Sequence, residues 1–196
     1  MKNIILRYKV LIAFLCGFLV CLVLGSALFQ ADTEVAVNDH SDVLQQAIIR
    51  RIDQQNDVYF NLGDQFEALA NSQGDEVELL EETKVFVSGV NIFVQMDYVP
   101  YYIELLYPEQ EILLETWGNL TKATTAMDWE QVSQLSTDEL SHLSQLCYAL
   151  SDCCYRGNED SFAYYISIQD TESNEFHASV ATAQALMDAW QAILDA

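Results

Sequence analysis

Residues 10–29, VLIAFLCGFLVCLVLGSALF, contain neither a charge nor a proline. As a helix they would measure about 30 Å, the hydrocarbon thickness of a bilayer. Lys2, Arg7 and Lys9 precede this run, whereas all thirty acids follow residue 31. Basic flanks are held on the cytoplasmic side of a membrane. The sequence therefore predicts a cytoplasmic tail at 1–9, a transmembrane signal anchor at 10–29, a linker at 30–40 and an extracytoplasmic domain at 41–196. A cleaved signal peptide is the rival reading, because Gly25, Ser26 and Ala27 put small residues where a signal peptidase cuts. Cys16 and Cys21 follow Leu15 and Val20, so neither has the small neighbour that a lipoprotein acylation site requires. The basic tail is too short to hold an enzymatic signalling domain, so any signal inward must pass through a partner.

Beyond residue 31 the chain carries five basic side chains against thirty acids, a formal charge of −25. Phosphate recognition needs clustered Lys and Arg, so no nucleic acid partner is expected, and anionic membrane surfaces repel such a domain. The charge implies either a solvated, self-repelling surface or a face for a cationic partner. The chain is 51% hydrophobic, which leaves ample core material outside the anchor. A single domain of this length buries about 70% of the surface its unfolded chain exposes. Pro100 and Pro108 are the two prolines of the chain, and such sparse turn chemistry argues against many short strands.

Periodicity sets the class. Ile48, Ile52, Gln55, Tyr59, Leu62, Phe66 and Leu69 recur in alternating steps of four and three, one stripe of a long helix from about 41 to 72, with Gln55 its one polar member. Ser41 is the expected N-cap, and Gln73-Gly74 the expected stop. Leu79, Thr83, Phe86, Val90 and Phe93 repeat the pattern from about 75 to 97, although VFVSGVNIFV is rich enough in β-branched residues to suit a strand. The chain should bend over 98–109, since each proline disfavours helical geometry in the residue before it. Pro108 can open the next helix, with Leu113, Trp117, Leu120 and Thr124 as its stripe.

Ser136 and Glu139 have capping-box spacing ahead of Leu140, Leu143, Cys147, Leu150 and Cys154, a helix that Arg156-Gly157-Asn158 should end. SFAYYISIQ is ambiguous. Phe176, Val180, Ala183, Met187, Trp190 and Leu194 mark a last helix. The fold class expected is all-α: an N-terminal transmembrane helix followed by an acidic bundle of four to five helices, none of which can bury its stripe alone.

No catalytic motif, metal cage or nucleotide loop stands out, and neither catalytic, metal nor cofactor-binding residues are assigned. Glu139 and His142 share the Glu-x-x-His spacing of di-iron bundles, but neither His40 nor His177 has a glutamate three residues before it, so Glu139 is read as a cap. Cys147 and Cys154 would lie about 10.5 Å apart along one helix, too far for a disulfide. With Cys153 they make three thiols, which leaves an intermolecular bond or buried free thiols; two of them fall on the apolar stripe. Asn119-Leu120-Thr121 matches a glycan acceptor inside a helix and is assigned no role.

Tyr98, Tyr101, Tyr102 and Tyr107 gather around the two prolines. Tyrosine pairs a large apolar face with a wet hydroxyl, which suits partner contact and equally a packed corner. The leading expectation is a non-enzymatic, single-pass membrane protein whose helical domain binds another protein; packing is the favoured role of the four tyrosines, and partner contact their candidate second one. The alternatives are a ligand- or cation-sensing ectodomain working through a membrane partner, and a secreted domain released after Ala27.

Overall fold

The computed structural model describes residues 41–72, 76–95, 97–125, 127 and 129–195. All the described residues but Ser41 and Asp42 belong to one compact unit that begins at Val43. The expected tail, anchor and linker lie outside the described residues, as does the Gln73-Gly74 stop. Among the described residues no helix is long and apolar enough to cross a membrane.

The domain is all-α, with eight helical segments and no strand among the described residues. Five are long: α1, described over 41–70, α2 (Glu76–Gln95), α4 (Glu111–Thr125), α6 (Thr137–Cys154) and α8 (Asn174–Leu194). Three short ones lie between them: α3 (Val99–Leu106), α5 (Trp129–Val132) and α7 (Phe162–Ser167).

Helix α1 is the central element. All seven residues of its stripe are buried, Ile48, Tyr59, Leu62 and Phe66 completely. It meets each of the other long helices. The Tyr59 hydroxyl donates to the Leu120 carbonyl of α4 at 2.7 Å, and the Tyr59 ring meets Trp190 of α8 edge-on at 6.1 Å. Thr83 of α2 donates to Gln65 at 2.9 Å, and Ser144 of α6 donates to the Gly63 carbonyl at 2.9 Å. Around α1 the order of neighbours is α2, α4, α8, α6, with α3 packed on α4 and α7 on α6 and α8. A strip of α1 that includes Gln54, Asp57, Phe60, Asp64 and Glu67 stays exposed.

The stripes explain why these segments are helical. Leu113, Trp117, Leu120 and Thr124 are all buried, as are Leu140, Leu143, Cys147, Leu150 and Cys154, and the whole last stripe from Phe176 to Leu194. Burying such a face is what stabilises helices too short to persist alone. Ser136 caps α6 in a full capping box: its backbone N–H donates to Glu139 Oε2 at 2.7 Å, and the Glu139 N–H donates to Ser136 Oγ at 3.3 Å. Ser161 and Ser173 cap α7 and α8 through their side chains, accepting from the Tyr164 and Phe176 N–H groups.

Several expectations need correction. Ser41 is already helical, so it is not the cap of α1. The β-branched segment at 85–94 is helix, not strand, because Thr83, Val87 and Val90 lie three to four apart and are buried together. Pro108 sits in a turn closed by the Gln110 N–H on the Tyr107 carbonyl at 2.9 Å, and α4 opens three residues later at Glu111. The bend expected over 98–109 is mostly the helix α3, whose first turn holds Pro100 where a missing N–H costs nothing. The ambiguous SFAYYISIQ holds α7, and Gln169, two residues past its end, takes a left-handed φ of 61°.

Candidate interaction site

Helix α3 brings the four tyrosines to one corner but not to one face. Tyr98 and Tyr101 are 65% and 53% exposed. Tyr102 and Tyr107 are half-buried and pack against the core. The division follows from α3 itself, since Val99 and Ile103 are its buried residues and Tyr102 lies beside them, whereas Tyr98 and Tyr101 fall three apart on the outer side. Burial pushes the Tyr107 phenol above its ordinary value of 10.0. Tyr101 and Tyr102 rings meet at 6.0 Å, so the exposed ring is braced by a half-buried one.

The corner is fixed to the rest of the domain by one carboxylate. Asp97, immediately before Tyr98, accepts from the Val99 N–H at 3.1 Å and so supplies the cap that the Tyr98 side chain does not. Its other oxygen accepts from the indole N–H of Trp117 in α4 at 2.7 Å. Arg51 of α1 places its Nε 3.7 Å from Asp97, with the two side chains 13% and 7% exposed. The guanidinium carbon stands 5.8 Å from the Trp117 ring centre. Burial lowers the Arg51 pKa below the ordinary guanidinium value, and Asp97 acts against that shift. Three helices thus converge on Asp97. This node was absent from the sequence reading, although Arg51 stands three residues after Ile48 and four before Gln55, which puts it at the edge of the buried stripe.

The corner is negative. Helix α3 contains no Lys or Arg, and Glu104, Glu109 and Glu111 on and after it are exposed. An apolar pair of rings set among carboxylates can bury hydrophobic area against a partner and attract cationic groups, through the acids and through the ring faces.

The remaining chemical candidates resolve into structure. Cys147, Cys153 and Cys154 are free and buried. Burial raises the first and last far above the usual thiol value, and it pushes Cys153 to about 11 with help from Asp152. Thiolates are the reactive form, so these are core side chains. The Glu139 carboxylate is engaged by Ser136, whose side chain and backbone hold its pKa below the ordinary 4.5. No group of three or more His, Cys, Asp and Glu among the described residues could hold a metal ion. Asn119 donates to Gln184 of α8 at 3.0 Å, and Thr121 is buried with its hydroxyl on the Trp117 carbonyl, so the glycan sequence is closed within the folded α4.

No protein-family model matches this chain, and no curated protein or solved structure matches it either.

Proposed function

We propose that this chain is a non-enzymatic, single-pass membrane protein whose acidic helical domain stands outside the cytoplasm and docks a basic protein partner on Tyr98 and Tyr101. The observation that carries the docking reading is the exposure of these two rings beside a buried Arg51–Asp97–Trp117 node. Rigid aromatic groups lose little entropy on binding, which favours them at contact surfaces. The uncharged run at 10–29, with its basic flank, supports the anchor and its orientation. The carboxylates around α3 support a partner rich in Lys and Arg, for which attraction would speed encounter at low salt.

Photo-crosslinking in intact cells tests this reading. A photoreactive amino acid at Tyr101 is expected to give a discrete adduct that one at Ala181, on the exposed side of α8, does not give. Adding Tyr98→Ala should abolish the adduct. Equal adducts from both positions, or none from Tyr101, would count against docking at this corner. N-terminal sequencing of the mature protein separates the anchor from the secreted alternative, which requires a start after Ala27.

A further inference from the structure

Helix α1 is held in the core from Ile48 onward, but its start is held differently. Over Val43 to Ala47 the one buried residue is Gln45; Val43 and Gln46 are exposed, and Leu44 and Ala47 are half-buried. Both ends of the Gln45 amide are engaged at the end of α7. Its Nε2 donates to the Ile166 carbonyl at 2.9 Å, and its Oε1 accepts from Gln169 Nε2 at 2.6 Å. Among the described residues Gln169 is the one non-glycine residue with a left-handed φ. It directly follows the C-cap of α7, and the Asp170 N–H closes on the Tyr165 carbonyl at 2.9 Å. Glycine usually stands at such a helix end, because a Cβ is costly there. Here a glutamine takes the strained position, and its amide reaches α1.

We propose that Gln45 and Gln169 form a latch that holds the first turns of α1 on the domain, and that its opening lets Val43 to Ala47 unwind while the bundle stays folded. Local opening is a property of segments with few buried apolar contacts, and no apolar side chain of this segment is fully buried. Ile48 and Ile49, 0% and 4% exposed, stop the unwinding from running further. Passing from helical to extended rise, residues 43–47 gain about 10 Å of reach. The apolar run at 10–29 lies upstream of this segment, so the latch sets how far the domain can stand from its point of attachment. That use rests on the anchor reading; the latch itself does not.

Hydrogen exchange of the full chain in detergent micelles, resolved along the sequence, tests the latch. Gln169→Gly removes the amide and relieves the left-handed backbone, while Gln169→Asn keeps a residue that tolerates this conformation but is one methylene too short to reach Gln45. Gln169 is exposed, so neither change disturbs the core. Both variants are expected to speed exchange of the amides of residues 45–49 about fivefold, the equivalent of one lost hydrogen bond, while α6 and α8 exchange as before or more slowly. Unchanged exchange over 45–49 overturns the proposal. So does an acceleration that α6 and α8 share, which would make Gln169 a general stabiliser rather than a latch. A mature chain that starts after Ala27 would remove the anchor and leave the exchange result standing.

Discussion

Gly63 marks a close approach of α1 and α6, for a Cβ built there would stand 2.8 Å from the Tyr148 ring. The ring is not free to swing, because its one hydroxyl hydrogen is shared between Asp64 at 2.7 Å and Glu67 at 3.0 Å and the ring meets that of Phe60 at 5.6 Å. Gly63→Ala should therefore destabilise the domain by about 1 kcal/mol, overpacking outweighing the gain in helix propensity. In a Tyr148→Ala background the same change should become stabilising, and a double-mutant cycle by urea denaturation reads the reversal. Asp97 is the other sensitive position. Asp97→Ala removes the cap of α3, the acceptor of Trp117 and the counter-charge of Arg51 together, with an expected loss of about 3 kcal/mol or more. Gln55 is the opposite case: fully buried, with its Oε1 unpartnered among the described residues and its Nε2 at 3.5 Å from the Leu120 carbonyl. Gln55→Leu should raise the midpoint of thermal unfolding. The buried thiols add a chemical check: at pH 8 a thiol reagent should label Cys147 and Cys154 only after denaturant unfolds the domain.

Among the elements, α6 offers the clearest prediction because its start is so fully described. Ser136→Ala removes the side-chain half of the capping box and should cost about 1 kcal/mol. The box also has a pH signature. Glu139 is held below 4.5 in the folded state, so its contribution is complete above that ordinary value and is lost as pH falls through the lowered one. The gap between wild type and Ser136→Ala should thus narrow as acid titrates Glu139, without closing, since Ser136 Oγ still accepts from the Glu139 N–H; unfolding midpoints from pH 6 downward measure it. The long helices were legible in the sequence because a stripe such as Phe176 to Leu194 needs nothing but local spacing to be read, and every residue of it is buried. The short ones were not. α5 offers four residues and α7 six, too few for a period to show, and both depend on packing against neighbours that sequence spacing cannot locate. The tyrosine corner was legible as a cluster, but its division into exposed Tyr98 and Tyr101 and packed Tyr102 and Tyr107 required knowing that α3 is a helix. Two prolines so close together, Pro100 and Pro108, read more naturally as a bend. Arg51 was missed for a related reason: a charge beside an apolar stripe is ordinarily solvated, and the carboxylate that draws it inward lies 46 residues away in the chain.

For the molecule as a whole, charge and topology are the governing quantities. A formal −25 beyond residue 31 is spread over a domain with five basic groups, among which Arg51 faces Asp97, Lys84 faces Glu81 at 2.7 Å and Arg156 faces Asp53 at 3.7 Å. Repulsion among the remaining acids opposes compaction, and salt screens it over a Debye length that shrinks to about 8 Å at physiological strength. Raising sodium chloride from about 20 to about 200 mM should accordingly raise Tm, whereas a domain held chiefly by surface ion pairs would lose stability. The same charge distribution, with its basic residues ahead of an apolar run and its acids behind, underlies the proposed orientation across a membrane. Protease added to sealed cells that express the chain with a tag at each end tests that orientation most directly. The C-terminal tag should be removed and the N-terminal tag spared until the cells are permeabilised; a C-terminal tag that survives until permeabilisation would contradict an outward-facing domain.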